Sequence, residues 1–256
     1  MKYVFCVLAI FIAFPAASER LNVGVFDEHA MYLKTSKPYQ VGWQVLNRAA
    51  NKAGLEIVPV EEAWARSIQE LKKGNLDGVF GAMRSAEREQ WAEFSLPLSN
   101  DAVHVFTHKS NSVNNLREID LKAATVGVSK DSVQHKMAIE LGFNNVYAII
   151  DRNALYKMLV ANRIDYLIFS DTFTHIYCHK YSEDANHHCL KPLEPALASN
   201  SMHLMYNANS NTRHEAFARL DEVLVEMKKS GEIKAIFKQI YQDNSHYNVW
   251  AAFFDN

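Results

Sequence analysis

From Leu21 onward, apolar and polar residues fall into short blocks of two periodicities. LNVGVF (Leu21 to Phe26) alternates as a half-buried strand does. Gln40 to Ala53 reads as a helix ending at Gly54, a residue suited to the turn past a helix C-terminus. Leu55 to Val58 is strand-like. Glu61 to Lys73 is the next helix, with Trp64, Ile68 and Leu71 at helical spacing and Gly74 behind it. Asp77 to Phe80 is a short strand. The pattern then restarts: strand Ala124 to Val128, helix Asp131 to Leu141, strand Val146 to Ile150. Helix Asn153 to Ala161 follows, with Leu155, Met158 and Leu159 on its apolar face, then strand Tyr166 to Phe169 and a helix starting at Asp171.

Strands alternating with helices of this length imply an α/β fold, with mostly parallel sheets flanked by helices. Two such units lie in series, joined by an extended segment, DAVHVFTHK (Asp101 to Lys109). A second extended segment, SMHLMYN (Ser201 to Asn207), precedes an amphipathic helix, Thr212 to Lys229, whose stripe is Phe217, Leu220, Leu224 and Met227. Gly231 breaks it before a further helical run to about Tyr241. The simplest arrangement makes the second unit an insertion: residues 19–104 plus 206–256 form one lobe and residues 105–205 the other. Two crossings between lobes make a hinge and predict closure on a ligand.

The first twenty residues, MKYVFCVLAIFIAFPAASER, change the picture of where the chain works. One lysine, an apolar run and the small residues Ala16-Ala17-Ser18 form the pattern of a cleaved signal peptide, residues 1–18, directing export to the periplasm. Cleavage after Ser18 removes Lys2 and leaves 26 basic and 29 acidic residues in 238. There is no basic block or basic, aromatic-studded stripe, which argues against a nucleic-acid partner. Two cysteines survive cleavage, Cys178 and Cys189, in CHKYSEDANHHC. In an oxidising compartment they read as a disulfide closing a short loop. His175, His179, His187 and His188 raise a zinc alternative, but their spacings match no standard finger, so no metal is expected.

Candidate chemistry gathers in DGVFGAMRSAEREQWAEFSLPL (Asp77 to Leu98). Ligands bind at strand ends in open parallel sheets, because loops and helix N-termini converge there. Ser85 is placed to cap a short helix starting at Ala86, with Glu87 near its positive end and Arg88 in its first turn. A guanidinium beside free backbone N–H groups makes a carboxylate site. The competing reading pairs Arg84 and Arg88 with Glu87, Glu89 and Glu93 on the surface.

WARSIQELKKGNLDGVF, then SAER, then FSLP, resembles the amino-acid-type periplasmic solute-binding proteins of ABC transporters, which have a two-lobed type II fold. The matching residues are Gly74, Asp77, Ser85, Arg88, Phe94, Ser95 and Pro97; VGVSKDSV and NRIDYLIFSDT agree in order. The resemblance implies that Arg88 holds the α-carboxylate of a ligand. It implies backbone amides from the turn Gly81 to Ser85, Ala82 among them, together with the Ser85 hydroxyl. Across the cleft it implies Ser132 as a further hydroxyl, Asp171 as the receiver of an amino group, and Phe26 or Tyr32 as an aromatic cover. Three departures stand out: Asp131 occupies a usual glycine place, the interval from Asp165 to Asp171 is one residue longer than the family pattern, and Arg84 is an extra charge. Arg84 with Arg88 would suit a ligand carrying two anionic groups. Trp64 reads as core from its spacing, while Arg66 stays open between cleft and surface.

The function implied is capture of a small polar or anionic solute, an amino acid or related carboxylate, by a monomeric clamp that delivers it to a membrane ABC permease. No cofactor is implied. Two alternatives remain: a periplasmic dehydratase-like enzyme using Glu28, His29 or Asp171 as general acid, and a ligand-sensing partner of a membrane kinase.

Overall fold

A computed structural model describes residues 18–174, 176, 190–208 and 214–255. Cys178, Cys189, the four histidines beside them and the signal segment up to residue 17 lie outside the described residues.

The first parallel unit has β1 (Glu19–Phe26) at its centre, between β2 (Leu55–Glu62) and β3 (Gly78–Ala82). Helices α1 (His29–Thr35), α2 (Lys37–Lys52) and α3 (Trp64–Lys73) make the connections. The segment preceding α2 contains α1, which the sequence pattern does not predict. Ser36 ends it and caps α2, accepting the Tyr39 N–H at 3.3 Å. Strand β2 runs on to Glu62, so α3 begins at Trp64, three residues later than the pattern predicts. Its C-cap is Gly74, at φ 81, where a side chain would be strained.

A short strand, β4 (Ala92–Phe94), leads to the first crossing, β5 (Ser99–His108). The second parallel unit follows: β6 (Thr125–Ser129), α4 (Val133–Leu141), β7 (Asn145–Ile149), α5 (Arg152–Val160) and β8 (Tyr166–Ser170). Residues 171–174 are helical. The return crossing, β9 (Leu190–Asn207), is far longer than its expected seven residues because it pairs antiparallel with β3, β4 and almost the whole of β5. The sheet order is β2-β1-β3-β9-β5-β8-β6-β7, with β4 on β9. Each lobe is therefore a parallel unit flanked by helices, and β5 and β9 run between the two. This is the two-lobed α/β architecture expected.

Helices α6 (His214–Lys229), α7 (Glu232–Tyr241) and α8 (Ser245–Phe254) return to the first lobe. The expected stripe of α6 is fully buried there, with Ile233, Ile236 and Phe237 of α7. Helix α8 carries no expectation from the sequence pattern. It is fixed by Trp250, which is fully buried and donates its indole N–H to the Pro97 carbonyl at 3.0 Å. Among the described residues no helix is long and apolar enough to cross a membrane.

Asp101 on β5 ties the crossing to the second lobe by accepting the Thr172 N–H at 3.3 Å. Burial pushes its carboxyl up to about 7, against the opposing pull of hydrogen bonds from Thr172 and Ser170. Between its usual 3.8 and about 7 the folded chain therefore holds a proton that the unfolded chain has released. Stability conferred by this group falls as pH rises through that window.

Replacing Trp250 by alanine removes both a large core side chain and its hydrogen bond. A loss of about 3–5 kcal/mol is expected in urea denaturation. Asp101→Asn should remove the pH slope of this one group, by up to about 1.4 kcal/mol per pH unit. Denaturation at pH 4 to 8 should thus show the variant gaining on the native chain as pH rises; a constant difference would contradict the buried carboxyl.

Candidate functional site

Strand β3 ends at Gly81 and Ala82, and Gly81 has φ 87. A Cβ there would lie 3.0 Å from the tip of the Phe26 ring, so glycine lets that ring close against the strand end. Beyond it the chain forms a single 3-10 turn, Arg88–Gln90, rather than the short α-helix expected from Ala86. The Ser85 carbonyl accepts the Glu89 N–H at 3.0 Å, and the Ser85 hydroxyl accepts that of Arg88 at 3.4 Å. Pairing of β4 with β9 from Ala92 onward leaves no room for a longer helix.

The turn sends its two arginines in different directions. Arg88 is only 7 % exposed. It donates from Nη1 to the Met83 carbonyl at 2.8 Å and lies 5.0 Å over the Trp64 ring. Burial pulls its pKa down to about 10, which leaves it charged at neutral pH. Among the described residues no carboxylate forms an ion pair with it. Arg84 instead lies on the surface, with its Nε 2.8 Å from Glu89 Oε1. The surface reading thus fits Arg84 and not Arg88.

Arg88 lines a narrow pocket with Phe26, Trp64, Gly81 and Met83 on one side. Ser129, Ser132, Gln134, Arg152, Phe169 and Phe173, all from the second parallel unit, form the facing side. Ser132 is the N-cap of α4, accepting the His135 N–H at 3.2 Å and donating to the Ser129 carbonyl at 2.6 Å. Asp131 has φ 58, the left-handed conformation that explains a glycine at this place; aspartate tolerates it better than most residues. Ser85 and Asp131 border an adjoining groove shared with Arg88 and Ser132.

The remaining residues proposed from sequence are dispersed. Ala82 is buried within β3. Tyr32 is buried 5.5 Å behind the Phe26 ring and edge-on to Phe173. Arg66 is on the surface, 3.3 Å from Glu62. Asp171 faces His104 Nδ1 at 3.1 Å, and this hydrogen bond raises the imidazole pKa. Neither Glu28 nor His29 is among the lining residues; His29 is buried against the Tyr39 hydroxyl at 2.7 Å, and burial lowers its pKa. Trp64 is buried as its spacing predicts, and it is also pocket wall.

Arg152 is the residue that the sequence reading missed. It opens α5, is 6 % exposed, and donates from Nε to the Ser129 hydroxyl at 3.1 Å. Its guanidinium lies 4.7 Å from the Phe26 ring and 4.1 Å from that of Phe173. A signal was present: a cation in the first turn opposes the helix dipole, which favours anions there. Asp151 is the N-cap of the same helix, accepting the Asn153 N–H at 2.8 Å.

Comparisons with known proteins agree with this architecture. The profile of bacterial extracellular solute-binding proteins, family 3, matches residues 31–243. Among solved structures, the arginine-, lysine-, histidine-binding protein ArtJ from Geobacillus stearothermophilus superposes with TM-score 0.72 at 18% identity, covering 91% of this chain and 100% of its own. The GluR0 ligand-binding core from Nostoc punctiforme, in complex with L-glutamate, gives 0.66 at 16% identity, covering 87% and 100%. A histidine kinase sensor domain with similarity to periplasmic binding proteins gives 0.72 at 18% identity, covering 88% and 97%. No curated protein sequence matches.

Proposed function

The chain belongs to the bacterial extracellular solute-binding proteins of family 3, and from that premise we propose that it captures a small carboxylate, such as an amino acid, between its lobes and passes it to an ABC permease. It acts in the periplasm as a monomer, exported by the signal segment. The observation that carries this reading is Arg88: a buried guanidinium with no described carboxylate partner, lining a pocket that both lobes wall. A carboxylate there forms charge-assisted hydrogen bonds out of water. Ser132 and Gln134 reach the same pocket from the other side, so one solute touches both lobes only when they are closed. Binding then favours closure by the difference in affinity between the two states.

Solved relatives of the same fold support a carboxylate ligand, since they are described as binding arginine, lysine and histidine, or L-glutamate. A dehydratase-like activity is less well supported. Among the described lining residues there is no carboxylate, imidazole or thiol to act as general acid.

A thermal-shift screen of L-amino acids and small organic acids should reveal a ligand, because binding to the folded chain alone raises its melting temperature. For the best of these, Arg88→Ala should weaken binding by at least about tenfold, the loss of one charge-assisted hydrogen bond of roughly 1.5–3 kcal/mol. Calorimetry showing unchanged affinity in a folded variant would remove Arg88 from the site.

A further inference from the structure

Arg88 and Arg152 come from opposite lobes, are both more than nine-tenths buried, and line one pocket. No acidic side chain is among the described lining residues. The nearest carboxylate to Arg152 is Asp27, whose Oδ1 lies 3.8 Å from Nη1, too far for a hydrogen bond. Burial raises the Asp27 pKa even with Arg152 opposing it. Arg152 Nη1 is buried without a hydrogen-bond partner among the described residues, and so is the indole N–H of Trp64 in the facing wall. A buried donor left unpaired costs free energy, and more when it carries charge.

The surroundings hold Arg152 in place. Its Nε is bound by Ser129 and its guanidinium lies against two aromatic rings, which fixes the position of the fork and leaves Nη1 without a partner. A salt bridge built only to join the lobes would bring Asp27 into hydrogen-bond range. Asp171, which the resemblance assigns to a ligand amino group, is instead occupied by His104 and is not among the lining residues.

We propose that the solute is a short dicarboxylic acid, with or without an α-amino group, held with one carboxylate on Arg88 and the second on Arg152. This rests on the reading of the cleft as a carboxylate-binding site and narrows it. Two anionic groups meet two buried cations, and the Arg152 Nη1 gains its acceptor. The pair of positive charges also selects against cationic solutes by repulsion.

Matched diacids and their monoamides test the assignment by calorimetry: succinate against succinamate, and L-glutamate and L-aspartate against L-glutamine and L-asparagine, with L-arginine as a cationic control. At least one diacid should bind the native chain at least about tenfold more tightly than its monoamide, as one charge-assisted contact demands. Arg152→Gln should bring that ratio close to one, and Arg152→Lys should restore part of it. The two amine-free acids distinguish a plain dicarboxylate from an acidic amino acid. Should Arg152 only brace the lobes, Arg152→Gln would weaken acid and amide alike and leave the ratio unchanged, overturning the proposal. Equal or tighter binding of L-glutamine, L-asparagine or L-arginine by the native chain would also overturn it while leaving a carboxylate-binding clamp intact. Binding of none of these probes would refute both readings. The native-chain ratios decide the ligand class even if a variant fails to fold.

Discussion

A guanidinium taken out of water needs an anion, or the fold bears the cost of an uncompensated charge. This protein buries two of them on facing sides of one pocket, and much of the surrounding structure serves to keep them there. The glycine at the end of β3 admits Phe26, whose ring is one wall for Arg152. Trp64 supports Arg88 through its face while its own N–H has no hydrogen-bond partner among the described residues. The Met83 carbonyl and the Ser129 hydroxyl each take a single donor from an arginine. Those neutral partners orient the forks without cancelling their charge; among the described residues the carboxylate in ion-pair range is Asp27, 3.8 Å from Arg152 and too far to hydrogen-bond.

The same pocket is where the lobes touch. Phe26 of the first lobe lies 4.9 Å from Phe173 of the second, and these rings join a single apolar cluster that continues into both. The second lobe also keeps a separate core, built on Val126, Val128 and Ile168. Strands β5 and β9 pair along nearly their whole length and are the principal covalent route between lobes. The lobes are thus linked both through these two paired strands and through the Phe26–Phe173 contact at the pocket.

Much of the architecture was legible beforehand. The two alternating series of strands and helices and the apolar stripe of α6 depend on local periodicity, and periodicity survives folding. Arg88 was legible because it sits in a dense motif between a strand and Phe94-Ser95-Leu96-Pro97. Helix α8 was not, because its ring-rich sequence lacks a clear polar face and its position is decided by a single tryptophan docking on Pro97. Strand β9 was underestimated because its length is set by a partner about ninety residues away.

The sequence by itself determined the fold class and the family motif that carries Arg88, since these follow from spacing along the chain and short-range steric rules. Only tertiary structure decided which charges meet. It turned Arg84 outward to Glu89 and brought Arg152, sixty-four residues beyond Arg88, into the same pocket. Burial and charge compensation are properties of neighbours in space, and no local pattern records which distant side chain will become one.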